Sequence, residues 1–109
     1  MEKRIILDQT LGNYLKELRN GQKMSIEALS RKISIAKSMI SYIEHGKRMP
    51  SIDALYIYAD FFKVDFNVLM NYRLITIKNT VEKLGDATPY HIKNEFHLLH
   101  YDMSMITKC

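Results

Sequence analysis

Between Lys37 and Arg48 the chain gathers side chains suited to recognition chemistry. Lys37, Ser38, Ser41, Tyr42 and His45 fall on one face of a helix, and each can donate or accept hydrogen bonds. None is a bulky aliphatic, so this face is built to meet a polar surface. Lys can donate to guanine O6 and N7, Ser to several base edges, and Tyr can hydrogen-bond or pack on a thymine methyl. His45 and the following Lys47 and Arg48 are suited to phosphate, a contact that positions a protein without specifying sequence. The other face of the same stretch carries Met39, Ile40 and Ile43 at spacings of three and four, which marks an amphipathic helix.

The elements that position these residues follow from the surrounding pattern. Leu29 and Ile33 share a helical face just upstream, Ser30 is small where two helices must cross, and the periodicity restarts after Ile35. Two short helices across a tight turn form a helix-turn-helix, whose second helix enters a major groove with its N-terminal residues against base edges. Upstream, the arm from Met1 to Gln9 carries Ile5, Ile6 and Leu7 and is expected to pack on the domain or on a partner subunit. Thr10 reads as the N-cap of a first helix with Leu11, Tyr14, Leu15 and Leu18 inside, ended by Asn20-Gly21. Ser25 caps the second helix, and Glu27 suits its positive end. Gly46 closes the third as its C′ residue, and Ser51 caps a fourth with Ile52, Leu55, Tyr58, Ala59 and Phe62 on one face. Asp65 caps a short fifth helix through Met70. Tyr56, Phe61 and Phe66 read as core or dimer contacts in preference to a ligand box.

Four segments together carry a family resemblance: LGNYLKELR (Leu11 to Arg19), MSIEALSRK (Met24 to Lys32), ISYIEHGKRMPSIDAL (Ile40 to Leu55) and VDFNVLM (Val64 to Met70). The run from Leu11 to Asn71 resembles the phage-repressor, XRE-type helix-turn-helix domain, a five-helix module of bacterial and phage transcription regulators. The resemblance implies a sequence-specific regulator of transcription bound to double-stranded DNA, most simply a repressor occupying an operator. It places Lys37, Ser38 and Tyr42 at base-contacting positions, with Ser41 beside them, and it pairs Arg19 with Glu44 between the first and third helices. Three positions depart from the family pattern. Ser34 stands where the turn usually has glycine and would need a left-handed backbone, at a cost of about 1–2 kcal/mol. Ala36 replaces the capping serine or threonine of the third helix, a loss of about 1 kcal/mol. Ile26 stands where a glutamine often touches phosphate.

Beyond Asn71 only pattern remains. Met70, Leu74, Ile77, Val81 and Leu84 are spaced four, three, four, three, which is a heptad seam. Gly85-Asp86-Ala87 interrupts it, Thr88-Pro89 supplies an N-cap and a proline at N1, and Ile92, Phe96, Leu99, Met103 and Ile106 repeat the spacing. The expected fold is therefore all-α: a five-helix domain with its arm over residues 1–71, then a two-helix hairpin over 72–109. Residues 74–77, LITI, are also β-prone, and a strand there is the alternative. A hairpin hides its own seam poorly. Leu74, Ile77, Val81, Leu84, Ile92, Phe96, Leu99 and Met103 are thus candidates for a homodimer interface, since symmetric half-sites require a dimer. The alternatives are that the hairpin folds back on the first domain, or that it binds an antagonist or, in an antitoxin, a toxin.

Charge and composition bound the remaining classes. The 109 residues include 16 Lys and Arg against 12 Asp and Glu, a net charge of +4 with a pI near 9.2. Arg31, Lys32, Lys37, Lys47 and Arg48 against Glu44 supply +4 by themselves, so the excess is confined to the proposed recognition segment. Phosphate neutralisation requires such a patch; an ordinary solvated face is the plainer alternative. The single cysteine, Cys109, excludes an internal disulfide framework. No apolar run reaches membrane-spanning length and no signal-peptide pattern opens the chain, so a cytoplasmic location is expected. His97, His100 and Cys109 make a poor metal site, and no metal or cofactor is expected. With no glycine-rich phosphate loop, nucleophile elbow or paired carboxylates, nothing visible supports an enzyme.

Overall fold

The computed structural model describes residues 7–97. Every regular element among them is helical: α1 (Thr10–Gly21), α2 (Ile26–Ile33), α3 (Lys37–Glu44), α4 (Ile52–Phe62), α5 (Phe66–Leu84), a 3-10 turn over Gly85–Ala87, and α6, which begins at residue 90 and continues through 97. The LITI stretch lies inside α5, so the strand alternative is excluded. Ile5, Ile6, Leu99, Met103, Ile106, His100 and Cys109 lie outside the described residues.

The main core takes one or more buried side chains from each of the first five helices. Leu11 and Leu15 of α1, Leu29 and Ile33 of α2, Ile40 and Ile43 of α3, Leu55, Tyr58 and Ala59 of α4, and Leu69 of α5 form one cluster. Burial of each large aliphatic contributes roughly 1.5–3 kcal/mol, so this cluster is the main stabilising term. The local signals at helix ends act mostly as the sequence predicts. Ser25 Oγ accepts from Ala28 N–H at 3.0 Å, Ser51 Oγ from Ala54 N–H at 3.1 Å, and Asp65 Oδ1 from Asn67 N–H at 2.8 Å.

The start of α1 differs from expectation. Thr10 is not the cap; it is the first residue of the helix, and Gln9 precedes it without a side-chain hydrogen bond. One neighbouring and one distant side chain accept from the free N–H groups there instead. Asp8 Oδ2 accepts from Thr10 N–H at 3.1 Å, and Thr76 Oγ1 of α5 accepts from Leu11 N–H at 2.9 Å. Thr80 Oγ1 accepts from Asp8 N–H at 2.9 Å while donating to the Thr76 carbonyl at 2.7 Å. The helix after the 3-10 turn is likewise shifted by one residue. Thr88 Oγ1 donates to Gly85 O at 2.7 Å, and the Pro89 carbonyl accepts from Lys93 N–H at 3.0 Å, which puts Pro89 at the cap and not at N1.

The tail is organised differently from the predicted division. The boundary expected between residues 71 and 72 falls within α5, so the fifth helix of the domain and the first arm of the hairpin are one helix. After the turn, α6 packs back on α5. Ile77 and Ile92, assigned above to an intermolecular seam, are both 0% exposed and fill a second cluster with Leu7, against which Met49, Val81 and Phe96 pack. An arm, a loop and two helices thus cover the seam within one chain. The physical reason is that a heptad stripe specifies only an apolar face, and Leu7 and Met49 were near enough to bury it. Among the described members of the seam, Leu74 stays exposed at 36%, while Leu84 is half-buried.

Candidate nucleic-acid interface

The turn that presents α3 is held by backbone geometry and one hydroxyl. Ser34 caps α2 with φ 58° and ψ 36°, the left-handed conformation its position demands. Its N–H donates to the Ser30 carbonyl at 2.9 Å, and Ser30 Oγ donates across the turn to the Ile35 carbonyl at 2.7 Å. Ser30 is therefore a tie across the turn as well as a small residue at a crossing. Ala36 precedes α3 with no side-chain cap, as the sequence implies. Ile26 packs its half-buried side chain against the main core.

Behind α3 the scaffold is buried. Arg19 Nε donates to Glu44 Oε2 at 2.7 Å and Nη2 to Oε1 at 2.7 Å, a bidentate fork, while Nη1 donates to the Met24 carbonyl at 2.8 Å. Hydrogen bonding to Glu44 raises the Arg19 pKa against the lowering effect of burial. Tyr58 is wholly buried, and its hydroxyl has no hydrogen-bond partner among the described residues. Burial pushes its phenol well above the ordinary value, the nearby Glu44 charge adds to this, and Arg19 opposes it. Gly12 completes the seat: a Cβ there would lie 2.5 Å from the Ile43 carbonyl oxygen and 3.0 Å from that of Glu44. Nothing in the local pattern around Gly12 signalled this crossing of α1 over the end of α3.

On the opposite side, Lys37 and Ser38 are exposed in the first turn of α3, and Ser41 and Tyr42 are half-exposed one turn later. His45 Nδ1–H donates to the Ser41 carbonyl at 2.7 Å, which leaves Nε2 for another partner. Gly46 follows with φ 72°, the left-handed stop expected of it. Lys47 and Arg48 are exposed in the loop beyond, Lys47 with Nζ 6.0 Å from the Tyr42 ring centroid. The seven candidate contact residues thus occupy one continuous stretch of α3 and its loop. Arg31, also in the basic segment, makes only a loose exposed contact with Glu27 at 3.7 Å.

Arg73 is a residue the sequence reading missed. It is buried on α5, donating from Nε to the Pro50 carbonyl at 3.1 Å and from Nη1 to Glu95 Oε1 at 2.8 Å. Its only signal in the sequence is its place one turn from Thr76 and Ile77 on the inner face of a helix, where a charge needs a partner.

With this geometry in place, the comparisons with known proteins agree. The helix-turn-helix family HTH_3 matches residues 15–69, and the chain belongs to that family. A crystal structure of an HTH_3 family transcriptional regulator from Vibrio cholerae is similar at 25% identity with a TM-score of 0.53, over 63% of this chain and 39% of that one. This chain's match therefore spans about two fifths of that regulator's length. No curated protein matches the chain. Among the described residues, no helix is long and apolar enough to cross a membrane.

Proposed function

We propose that this protein is a DNA-binding transcription regulator that reads an operator through α3 and represses by occupying it as a dimer. The observation that carries the reading is the pairing of an exposed polar face, Lys37, Ser38, Ser41 and Tyr42, with a buried clasp, Arg19 and Glu44, that fixes the helix bearing it. His45, Lys47 and Arg48 grip phosphate on either strand of the backbone beside the groove, and the protein acts by binding and not by catalysis. Dimerisation through the exposed Leu74 edge of α5 brings two such faces onto an inverted repeat. The same edge is where an antagonist or toxin protein docks in the second reading, and it is favoured only if such a partner replaces the second copy.

Selection of bound sites from a random DNA pool with the full chain tests this directly. Enrichment of an inverted repeat with half-sites about one helical turn apart supports a dimeric operator reader. No enriched motif, at salt low enough to hold non-specific complexes, leaves only a generic phosphate surface. Substitution of Leu74 by Glu, read by sedimentation, should then yield monomers and lose the repeat while keeping weak half-site binding.

A further inference from the structure

The loop after α3 is clamped at both ends by groups distant in sequence. At its start Leu7 N–H donates to the Gly46 carbonyl at 2.6 Å, and at its end Arg73 Nε donates to the Pro50 carbonyl at 3.1 Å. Between these points Met49 packs against both hydrophobic clusters, while Lys47 and Arg48 remain exposed. Both clamps depend on α6. Glu95 holds Nη1 of the buried Arg73 at 2.8 Å, and a planar guanidinium with one edge fixed has its Nε direction fixed too. Ile92, nearly one turn before Glu95, closes the cluster that seats Leu7.

We infer that α6 is a brace for the loop carrying Lys47 and Arg48, with Arg73 as the positioning residue that acts through Pro50 and Glu95 as the group that orients Arg73. The inference rests on the proposed reading of those two cations as phosphate contacts. α3 itself is held from behind by Arg19 and Glu44, and the loop is tied to its last turn through the Tyr42 carbonyl, which accepts from Lys47 N–H at 2.8 Å and Arg48 N–H at 3.3 Å. Loosening the brace therefore moves the backbone grip and spares the base-reading face, so that affinity falls for all DNA alike while base preference is kept.

The test uses the full chain, as wild type, Glu95→Ala and Glu95→Gln, with two readouts. Amide hydrogen exchange at Lys47 and Arg48 is followed without DNA, and binding is titrated over a range of salt on a selected operator and on a random duplex. Glu95→Ala should speed exchange at both amides about fivefold, weaken both duplexes by the same factor, about fivefold, and flatten the salt dependence. Glu95→Gln, which keeps an acceptor for Arg73, should restore most of each. Should Glu95→Ala fail to fold, Arg73→Lys, which keeps the charge but cannot hold two acceptors in one plane, should give the same pattern. Unchanged exchange with unchanged affinity overturns the brace and leaves the DNA reading standing. Loss confined to the operator also overturns it, because the effect would then lie on α3. A wild-type chain that binds neither duplex overturns the DNA reading and the brace together.

Discussion

Among the described residues two arginine–glutamate pairs join one helix to another, and they differ in how far each is removed from water. Arg19 and Glu44 join α1 to α3 through two short hydrogen bonds, with side chains 10% and 1% exposed. Arg73 and Glu95 join α5 to α6 through one, with side chains 9% and 34% exposed. In the first pair neither charge has water to fall back on, so the two are obligate partners. In the second the carboxylate is still partly solvated. Each arginine keeps one backbone carbonyl if its glutamate leaves, Met24 for Arg19 and Pro50 for Arg73, so the difference lies in the solvation of the glutamate and in two hydrogen bonds lost against one. The first pair therefore belongs to the fold, whereas the second can loosen without unfolding the domain. The two hydrophobic clusters differ likewise among the described residues: the main one has ten buried residues from five helices, the second has three.

Breaking the first pair should produce the largest effect. Glu44→Ala strands a buried guanidinium and should destabilise the protein by about 3–5 kcal/mol, measured by urea unfolding. A loss under about 1 kcal/mol would place the pair in the same class as a surface contact and erase the contrast.

Gly12→Ala attacks the same seat without touching a charge. Its methyl would press on the backbone carbonyls of Ile43 and Glu44, which cannot rotate away as a side chain could. A cost of about 1–3 kcal/mol is expected in thermal unfolding, with weakened operator binding as α3 shifts.

The second pair should respond less. Glu95→Ala should cost about 1 kcal/mol of stability in urea, because solvent already screens the exposed carboxylate. A cost equal to that of Glu44→Ala would show that the partial exposure of Glu95 has no energetic meaning.

Tyr58 sharpens the comparison through pH. Its phenol holds its proton more tightly in the folded chain than in the unfolded one. Its contribution is therefore fully present below the ordinary tyrosine value of about 10 and is lost as the pH rises above it. Tyr58→Phe should flatten the alkaline fall in stability seen in urea melts between neutral pH and pH of about 11. At neutral pH it should be neutral or stabilising by up to about 1 kcal/mol, since the buried hydroxyl has no hydrogen bond to lose among the described residues.

On the DNA side the smallest and most selective changes separate α3 from its loop. Tyr42→Ala should relax preference at one base position by about 1–3 kcal/mol, while Lys47→Ala should weaken all sequences evenly and reduce the salt slope by about one. If both variants behave alike across a set of operator variants, the division between reading and gripping residues is wrong.

What the sequence determined by itself was local. Helical periodicity placed the apolar faces of α1 to α3 and most of that of α4, where Ile52, expected on the inner face, is 38% exposed at the helix start. Serine and aspartate marked the starts of α2, α4 and α5 because a cap acts within three residues of itself. Gly46 was legible for the same reason, since the left-handed turn it makes is a property of one residue, whereas the left-handed turn at Ser34 was found through the family resemblance. The basic excess around α3 needed only counting. Arg19 and Glu44 were found through family resemblance, because nothing local ties two residues 25 positions apart.

Tertiary structure decided the rest. Whether the seam of Ile77 and Ile92 meets another chain or its own arm depends on what lies nearby, and a heptad stripe carries no information about its partner. Thr76 and Thr80 receive N–H groups from Leu11 and Asp8 only because α5 lies across the start of α1, so a helical threonine took over a capping task that local rules assign to Thr10. Gly12 and Arg73 matter for the same reason. Their roles arise where two helices, or a helix and a loop, come within contact distance, and that closeness exists only after the cores have formed.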